Sequence, residues 1–378
     1  MKKKRKCEII KFSFSCLRDR SKFRLVPACP GWEIIIMETI FFKKHTASVK
    51  YLDPFNNFAE KEIFVDIRED LITGVVSHII PFRFKITDKV DLKPQIGKNP
   101  ESTCPFCPPL FEKMTPKFCS DIIKEGKFRR GNAVLFPNAF PYDKNNAVVT
   151  FSEKHFIGLD KLMPDEMLDG FLICLDYFKR MHQLDSSLHF CSINWNYMPP
   201  AGGGLVHPHL QTIIGKNPTR FIKTIYNSAI SFKEKTSSNL WKNFIAFEEE
   251  KEQRFITYTG NVTWLASFAP KGMLGEILFI LNRKKSIFSL NQDDFYDLLA
   301  GFSQIFKFFH QNNISAFNLA LYATLAEDDN LWVQGEIIPR FRIPPLDTSD
   351  INYFEKLHNE VICVVVPEVL CKDVQQLL

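Results

Sequence analysis

The sequence predicts an α+β protein in which one unit of strands and helices occurs twice. Residues 285–309 repeat the pattern of residues 154–178, with leucine, glycine and phenylalanine at matching positions. Both blocks have the apolar spacing of helices. Short segments rich in β-branched and aromatic residues lie around them and predict strands. The separation of about 130 residues between the copies indicates an internal duplication.

Length and composition bound the kind of protein. The chain has 378 residues, of which 45% are hydrophobic, enough for two domains or one large duplicated one. The net charge is only +5, and much of it lies at the start of a basic, irregular extension predicted for residues 1–30. This balance does not favour nucleic-acid binding. No apolar run suggests a signal peptide or a membrane span, so we expect no membrane association and a cytoplasmic location.

The predicted elements follow in order along the chain. Thr73-Gly74 is a turn signal between two strand-like segments and predicts a hairpin. Acidic residues after Pro164 suit the first turn of a helix. We predict further helices within residues 216–254. The predicted strands cover residues 32–42, 62–67, 75–80, 132–136, 147–151 and 190–196.

One segment combines residues that suit phosphate chemistry. It contains Gly202, Gly203 and Gly204, followed by His207-Pro208-His209-Leu210-Gln211. β-Branched residues come next, so its end is predicted as a strand, on which alternate side chains share a face. Consecutive glycines let the backbone approach a ligand and present N–H groups to an anion. The pattern predicts a phosphate-sized hollow that faces two imidazoles and an amide.

A second segment suits a metal ion. Cys104 and Cys107 form a C-x-x-C pair, which presents two thiolates at the separation that tetrahedral zinc needs. A redox pair would stand at the start of a helix, whereas the prolines around this pair favour a rigid loop. Without a secretion signal, a disulfide framework is not expected. His155, at a strand end, is a candidate third ligand.

Together these blocks resemble the galactose-1-phosphate uridylyltransferase-like branch of the histidine-triad (HIT) superfamily. The resemblance covers about residues 60–370 and starts from the H-P-H-x-Q signature and the C-P-F-C knuckle. Arg68-x-Asp70-x-x-Thr73-Gly74 resembles an early hairpin of the family, and Pro137-Asn138-Ala139-Phe140 resembles its nucleotide-contacting loop.

The resemblance implies a duplicated HIT-like fold: two antiparallel half-barrel sheets with helices packed on the outside. The first half, residues 31–215, would hold the zinc site and the active site. The second, residues 216–378, would be degenerate, since Gln334, Glu336 and Ser286 replace the histidines that the duplication leads one to expect. A second metal site is therefore not expected. The hexose-binding Lys and Gln of the family are also not evident near the C-terminus.

The resemblance also assigns roles to individual residues. His209 would be the nucleophile, and Gln211 with the glycine-loop amides would neutralise charge on the phosphoryl oxygens. The expected cofactor is one structural zinc ion, with no organic cofactor. The other implied residues are the zinc ligands Cys104, Cys107, His155 and His207, and the substrate contacts Asn138, Phe140, Asn196, Gly202, Gly203 and Gly204.

The activity implied is nucleotidyl transfer through a covalent nucleotidyl-histidine. A nucleoside monophosphate would move between a nucleoside diphosphate sugar and a sugar phosphate or phosphate. Two alternatives stay open: an ADP-sugar or dinucleoside tetraphosphate phosphorylase or hydrolase, and a non-catalytic, zinc-stabilised nucleotide-binding protein. The resemblance suggests a homodimer, although a duplicated chain can build the paired sheet alone.

Overall fold

The computed structural model describes residues 32–37, 40–83, 91–343 and 346–377; the predicted basic extension lies outside them. The described strands are β1 Trp32–Met37, β2 Ile40–Asp53, β3 Ala59–Asp70, β4 Val76–Ile79, β5 Phe128–Arg130, β6 Ala133–Pro137, β7 Asn146–Thr150, β8 Phe190–Tyr197, β9 His209–Gly215, β10 Phe255–Thr259, β11 Val262–Ala266, β12 Ile277–Leu281, β13 Ala316–Thr324, β14 Gln334–Arg340, β15 Arg342–Ile343, β16 Thr348–Ser349 and β17 Glu360–Cys363. The described helices are α1 Lys93–Gly97, α2 Phe111–Met114, α3 Pro164–Leu184, α4 Arg220–Thr236, α5 Leu240–Lys251, α6 Gln292–Gln311, α7 Tyr353–His358 and α8 Pro367–Gln375.

A ten-stranded antiparallel sheet forms the centre of the molecule. Its order is β10-β11-β12-β14-β13-β8-β9-β7-β6-β5, so each half contributes five strands in the same internal order. The halves join where β8 pairs with β13, from Phe190 opposite Thr324 to Tyr197 opposite Phe317. The α+β class and the duplicated HIT-like fold are thereby confirmed, with the two half-sheets continuous in the described residues.

One face of this sheet is covered by α3 and α6. Alternate residues of each strand point to this face, where Trp195 and Phe317 pack against Phe306 of α6. The two helices have no room for a side chain at their matching glycines: a Cβ on Gly170 would meet Phe151, and one on Gly301 would meet Trp264. These glycines let both helices lie directly on the sheet.

The other face is covered by α4 and α5 over part of the second half. Here Phe42 and Ile72 of the smaller sheet, which has the order β1-β2-β3-β4-β17, join Trp241 and Phe244 of α5 in a second apolar cluster. The predicted hairpin at Thr73-Gly74 is confirmed as β3 and β4. On the first half, this face carries the polar side chains of β8 and β9.

One detail of the repeat is wrong in the sequence comparison. Applied to β8 and β13, the separation that matches His209 to Glu336 also matches Trp195 to Tyr322, but Trp195 faces α6 while Tyr322 packs against Phe221 of α4. Since strand residues alternate between faces, an odd shift of this kind reverses every side chain. β8 and β13 therefore do not correspond at this separation.

Candidate active site and metal centre

Four sequence-predicted ligands meet in one cluster. The ligand atoms of Cys104, Cys107, His155 and His207 all lie within 4.8 Å of one another. Cys107 Sγ lies 3.3 Å from Nδ1 of both His155 and His207, and Cys104 Sγ lies 3.9 Å from Nδ1 of His207. Ligands around tetrahedral zinc would stand about 3.3–3.8 Å apart, given zinc–ligand bonds of about 2.0–2.3 Å. The residues present therefore fit such an ion.

Both histidine rings are turned so that Nδ1 faces the thiols. Nε2 of His155 lies 2.6 Å from the carbonyl oxygen of Asn99, and Nε2 of His207 lies 2.9 Å from that of Ser152. A carbonyl can only accept, so each Nε2 carries the proton and each Nδ1 keeps its lone pair. This is how protein carbonyls commonly orient histidine ligands of metals.

The pKa values of Cys107 and His207 determine how the cluster would bind a cation. Burial, together with the neighbouring Cys104, raises the pKa of the Cys107 thiol to about 12. Burial lowers the pKa of His207 to about 4, although its hydrogen bond to Ser152 acts in the opposite direction. At neutral pH the imidazole is thus ready to bind a metal, whereas the thiol would ionise only beside a positive ion.

His209 is not part of the metal cluster. Its Nδ1 lies 2.7 Å from the carbonyl oxygen of His207, so Nδ1 donates and Nε2 keeps a free lone pair. The residue is 8% exposed, and Nε2 is not among the side-chain atoms sealed away from solvent. Burial lowers the pKa of His209, so its imidazole is neutral at pH 7. The ring of Phe106 from the knuckle packs edge-on against it, with centroids 5.3 Å apart.

Two further predicted residues, Gln211 and Asn196, lie on the same sheet face as His209. Gln211 is two residues along β9 and stands opposite Asn194 of β8. Asn196 is two residues along β8 from Asn194, so the same register places it opposite His209. Among the described residues, no side chain or backbone group hydrogen-bonds to the amide of Gln211. His209, Gln211 and Asn196 thus form one polar patch.

The glycine loop differs from the open anion cradle that the sequence predicts. The amide of Gly202 donates to the carbonyl of Pro199, and that of Gly203 donates to the carbonyl of Met198. These two amides form the turn in this conformation, and the contact of the three glycines with a substrate stays a prediction. Gly202 has a φ of 85°, and a Cβ on Gly203 would stand 2.9 Å from the Asn196 carbonyl oxygen. Gly204 has open space around its Cα.

The loop that contains Asn138 is shaped by its own side chains. Asn138 accepts from the amide of Phe140 at 2.9 Å and donates to Oδ1 of Asn146 at 2.7 Å. Phe140 is 84% exposed and stands beyond the end of β6. The structure therefore gives Asn138 a role in loop geometry and leaves Phe140 free to contact a ligand.

A groove of about 560 Å³ lies between the knuckle and the sheet. Its walls include Phe106, Phe111 and Val134, and polar groups at its rim include Arg129 and Asn132. Thr150, which also lines it, is the cross-strand partner of His209. The groove therefore opens beside the candidate nucleophile and offers aromatic walls to a planar group.

The corresponding region of the second half has different chemistry. Gln334 and Glu336 lie on the same sheet face as His209, and the ammonium of Lys271 pairs with Glu336 and Glu276. Tyr322 also donates to Glu336, at 2.9 Å. In the second half, therefore, Lys271 supplies the positive charge beside Glu336 and Glu276. The sequence analysis missed Lys271, because nothing in the local pattern around it indicates a site.

The R-x-D-x-x-T-G motif serves the hairpin itself. Asp70 accepts from the amide of Ile72 at 2.8 Å, and Gly74 adopts a φ of 71° that closes the turn. Arg68 forms a two-point ion pair with Glu368 of α8, at 2.8 and 2.9 Å. The motif therefore connects the smaller sheet to the C-terminal helix, away from His209.

Comparisons with known proteins agree with the fold. No protein-family model matches the chain. An uncharacterized protein of Archaeoglobus fulgidus is 27% identical over 318 residues, which is 84% of this chain and 93% of that protein. The structure is similar to an ADP-glucose phosphorylase from Arabidopsis thaliana solved with bound ADP-glucose, with a TM-score of 0.63 and 18% identity over 82% of this chain and 98% of that one.

A uridylyltransferase structure is also similar, with a TM-score of 0.58 and 16% identity over 82% of this chain and 97% of that one. The chain therefore has the fold of the galactose-1-phosphate uridylyltransferase-like branch of the HIT superfamily, as its motifs predict. Within the described residues, no helix has the length and apolarity needed to cross a membrane.

Proposed function

We propose that the chain is a nucleotidyltransferase that forms a covalent intermediate on His209. The observation that carries this proposal is the tautomer of one ring: Nδ1 of His209 donates to the His207 carbonyl at 2.7 Å, so Nε2 keeps its lone pair, and the cross-strand neighbour Thr150 lines the groove. A neutral imidazole fixed in this tautomer is a competent nucleophile at pH 7. The likeness to known phosphorylase and transferase structures supports the fold needed for it.

The reaction has two balanced steps. Nε2 of His209 attacks the α-phosphorus of a nucleoside diphosphate sugar; the N–P bond forms, the bond from phosphorus to the bridging oxygen breaks, and sugar phosphate leaves. An oxygen of the acceptor, a sugar phosphate or inorganic phosphate, then attacks the same phosphorus and releases His209. The amides of Gln211 and Asn196 are placed to donate to the phosphoryl oxygens, and the groove would take the base.

The metal has a bracing role in this proposal. Cys104, Cys107, His155 and His207 would hold one zinc ion with no open position, so the ion would fix the backbone that carries His209. His207 joins the two sites directly, since its ring faces the cluster and its carbonyl holds His209.

Incubation with ADP-glucose or UDP-glucose labelled at the α-phosphate tests the function. We expect acid-labile, base-stable label on the wild-type protein. In His209→Ala the rate of labelling should fall below about 10⁻⁴ of the wild-type rate, the scale for a lost nucleophile. His189→Ala, a partly exposed histidine on the same sheet, should label like wild type. Absence of label from both donors would refute the proposal. Release by phosphate or by hexose phosphate identifies the acceptor.

A further inference from the structure

Asn318 of the second half contacts the active-site loop of the first half. Its side-chain amide nitrogen lies 2.7 Å from Oδ1 of Asn196 and 2.8 Å from the carbonyl oxygen of Ala201, which immediately precedes the glycines. On its other side, Nη1 of Arg340 lies 2.6 Å from Oδ1 of Asn318. Asp350 holds Arg340 by two contacts of 2.7 Å. A connected row of polar groups therefore runs from β14 to β8.

The direction of every hydrogen bond in this row is fixed by chemistry. Arg340 can only donate, so Asn318 must present its oxygen to Arg340 and its nitrogen to Asn196 and Ala201. The carbonyl of Ala201 can only accept, which requires the same orientation. Asn196 must then offer its oxygen to Asn318. Its own NH₂ group is left pointing away from Asn318.

The NH₂ group of Asn196 lies on the sheet face that carries His209 and Gln211. The pairing of β8 with β9 ends at Asn194 opposite Gln211, and its continuation by two residues would set Asn196 opposite His209. A phosphoryl group on Nε2 of His209 carries negative charge on its oxygens, which a fixed N–H donor stabilises. An amide rotated by half a turn would present an oxygen to this charge and repel it.

We propose that Asn318, backed by Arg340, is a positioning residue that sets the amide of Asn196 as a donor toward the transferred phosphoryl group. The inference rests on the proposed function and adds a task for the second half. Asn318 touches no reacting atom; it acts through Asn196 and through the Ala201 carbonyl, which fixes the start of the glycine loop.

Two substitutions at Asn318 separate positioning from support. Asn318→Asp keeps the size and the Arg340 contact but offers only acceptors, so Asn196 must rotate; Asn318→Ala leaves Asn196 free. We expect the single-turnover rate of nucleotidyl transfer to His209 to fall about 10²-fold in Asn318→Asp and only about 10-fold in Asn318→Ala, the scale of one lost donor. The melting temperature should instead be lower in Asn318→Ala than in Asn318→Asp. Activity that follows the melting temperature would overturn the proposal.

Two controls complete the experiment. Tyr322→Phe removes one hydrogen bond on the same strand and face, away from Asn196, and should transfer at the wild-type rate. Added charge alone would repel a nucleotide, but salt screens such repulsion. A defect of Asn318→Asp that disappears in high salt would therefore contradict a rotated amide.

The same variants are compared for binding of AMP and UMP. If the wild-type protein binds a nucleotide without transferring it, the proposed function fails, and weaker binding by Asn318→Asp than by Asn318→Ala still supports the positioning role. The opposite order of affinities refutes that role even if transfer is observed. A wild-type protein that neither binds nor transfers nucleotides overturns both proposals.

Discussion

His207 has two functions in the candidate site. Its ring turns Nδ1 toward Cys107, and its carbonyl oxygen accepts the proton of His209 Nδ1. A change in the cysteine–histidine cluster would therefore reach the candidate nucleophile through a single residue. The spacing of one residue in H-P-H permits this arrangement: β9 begins at His209 and His207 lies just before it, so the His207 carbonyl stays within reach of the His209 ring while the His207 ring faces the cysteines.

Removal of a metal ligand should destabilise the protein as a whole. We expect Cys107→Ala to lose bound zinc and to lower the melting temperature by about 5 °C or more, because a closed zinc site contributes several kcal/mol to folding. Zinc content by mass spectrometry and thermal unfolding measure both effects. Cys119→Ala, which removes an exposed free cysteine, is the matched control and should change neither. Full zinc content in Cys107→Ala would contradict the predicted ligand set.

At the residue scale, the sequence predicted the groups that carry chemistry but not their hydrogen bonds. The C-x-x-C and H-P-H-x-Q patterns have fixed spacings, so they indicate ligands and a nucleophile without a structure. Asn318 has no such spacing, because it reaches Asn196 only through the pairing of two strands from different halves. The use of the Gly202 and Gly203 amides within the turn could not be predicted either, since a run of glycines does not tell which N–H groups the turn itself uses.

At the element scale, the repeated helices show why the duplication could be predicted from the sequence. α3 and α6 need glycine where they cross the sheet, so Gly170 and Gly301 stand at matching positions. Strands are less informative, because an apolar pattern with a period of two matches itself after a shift. The correspondence between the residues of β8 and β13 therefore needed the structure, whereas the correspondence between α3 and α6 did not.

Gly301→Ala tests the close approach of α6 to the sheet. In an exposed helix this substitution stabilises, but here the new Cβ would stand 2.0 Å from Cζ2 of Trp264. We expect the free energy of unfolding to fall by about 1–3 kcal/mol, as in other overpacked cores. Gly97→Ala in α1, where no atom lies within 4 Å, is the control and should be neutral or stabilising by up to about 1 kcal/mol. Denaturant unfolding of both variants decides; equal effects would contradict this account.

At the scale of the whole molecule, the smaller sheet connects the start of the described chain to its end. β4 pairs in parallel with β17, and Arg68 of β3 reaches Glu368 of α8. Arg254 donates to both Glu368 and Glu248, so two arginines share the half-buried carboxylate of Glu368 beside the buried one of Glu248. The sequence could not predict this network, since its members lie far apart in the chain and carry no motif that marks them as partners.

This network should make the free energy of unfolding depend on pH in the acid range. Burial alone would raise the pKa of Glu368, but the hydrogen bond and charge of Arg68 outweigh it, and the pKa is lowered. A carboxyl whose pKa is lower in the folded state contributes stability above its unfolded pKa of about 4.3, and that contribution is lost as the pH falls through the folded value. Near neutral pH, Glu368 is thus ionised and fully paired.

We expect Glu368→Gln to lower the free energy of unfolding by about 1.5–3 kcal/mol near pH 7, the range for a hydrogen bond to a charged group. The difference from wild type should close as the pH falls from about 4.3 through the lowered folded-state pKa of Glu368, because protonated Glu368 resembles glutamine. Denaturant unfolding at several pH values measures it. Glu60→Gln removes an exposed partner of Lys50 and should have little effect at any pH. A difference that stays constant from neutral to acid pH would show that Glu368 does not hold the network through its charge.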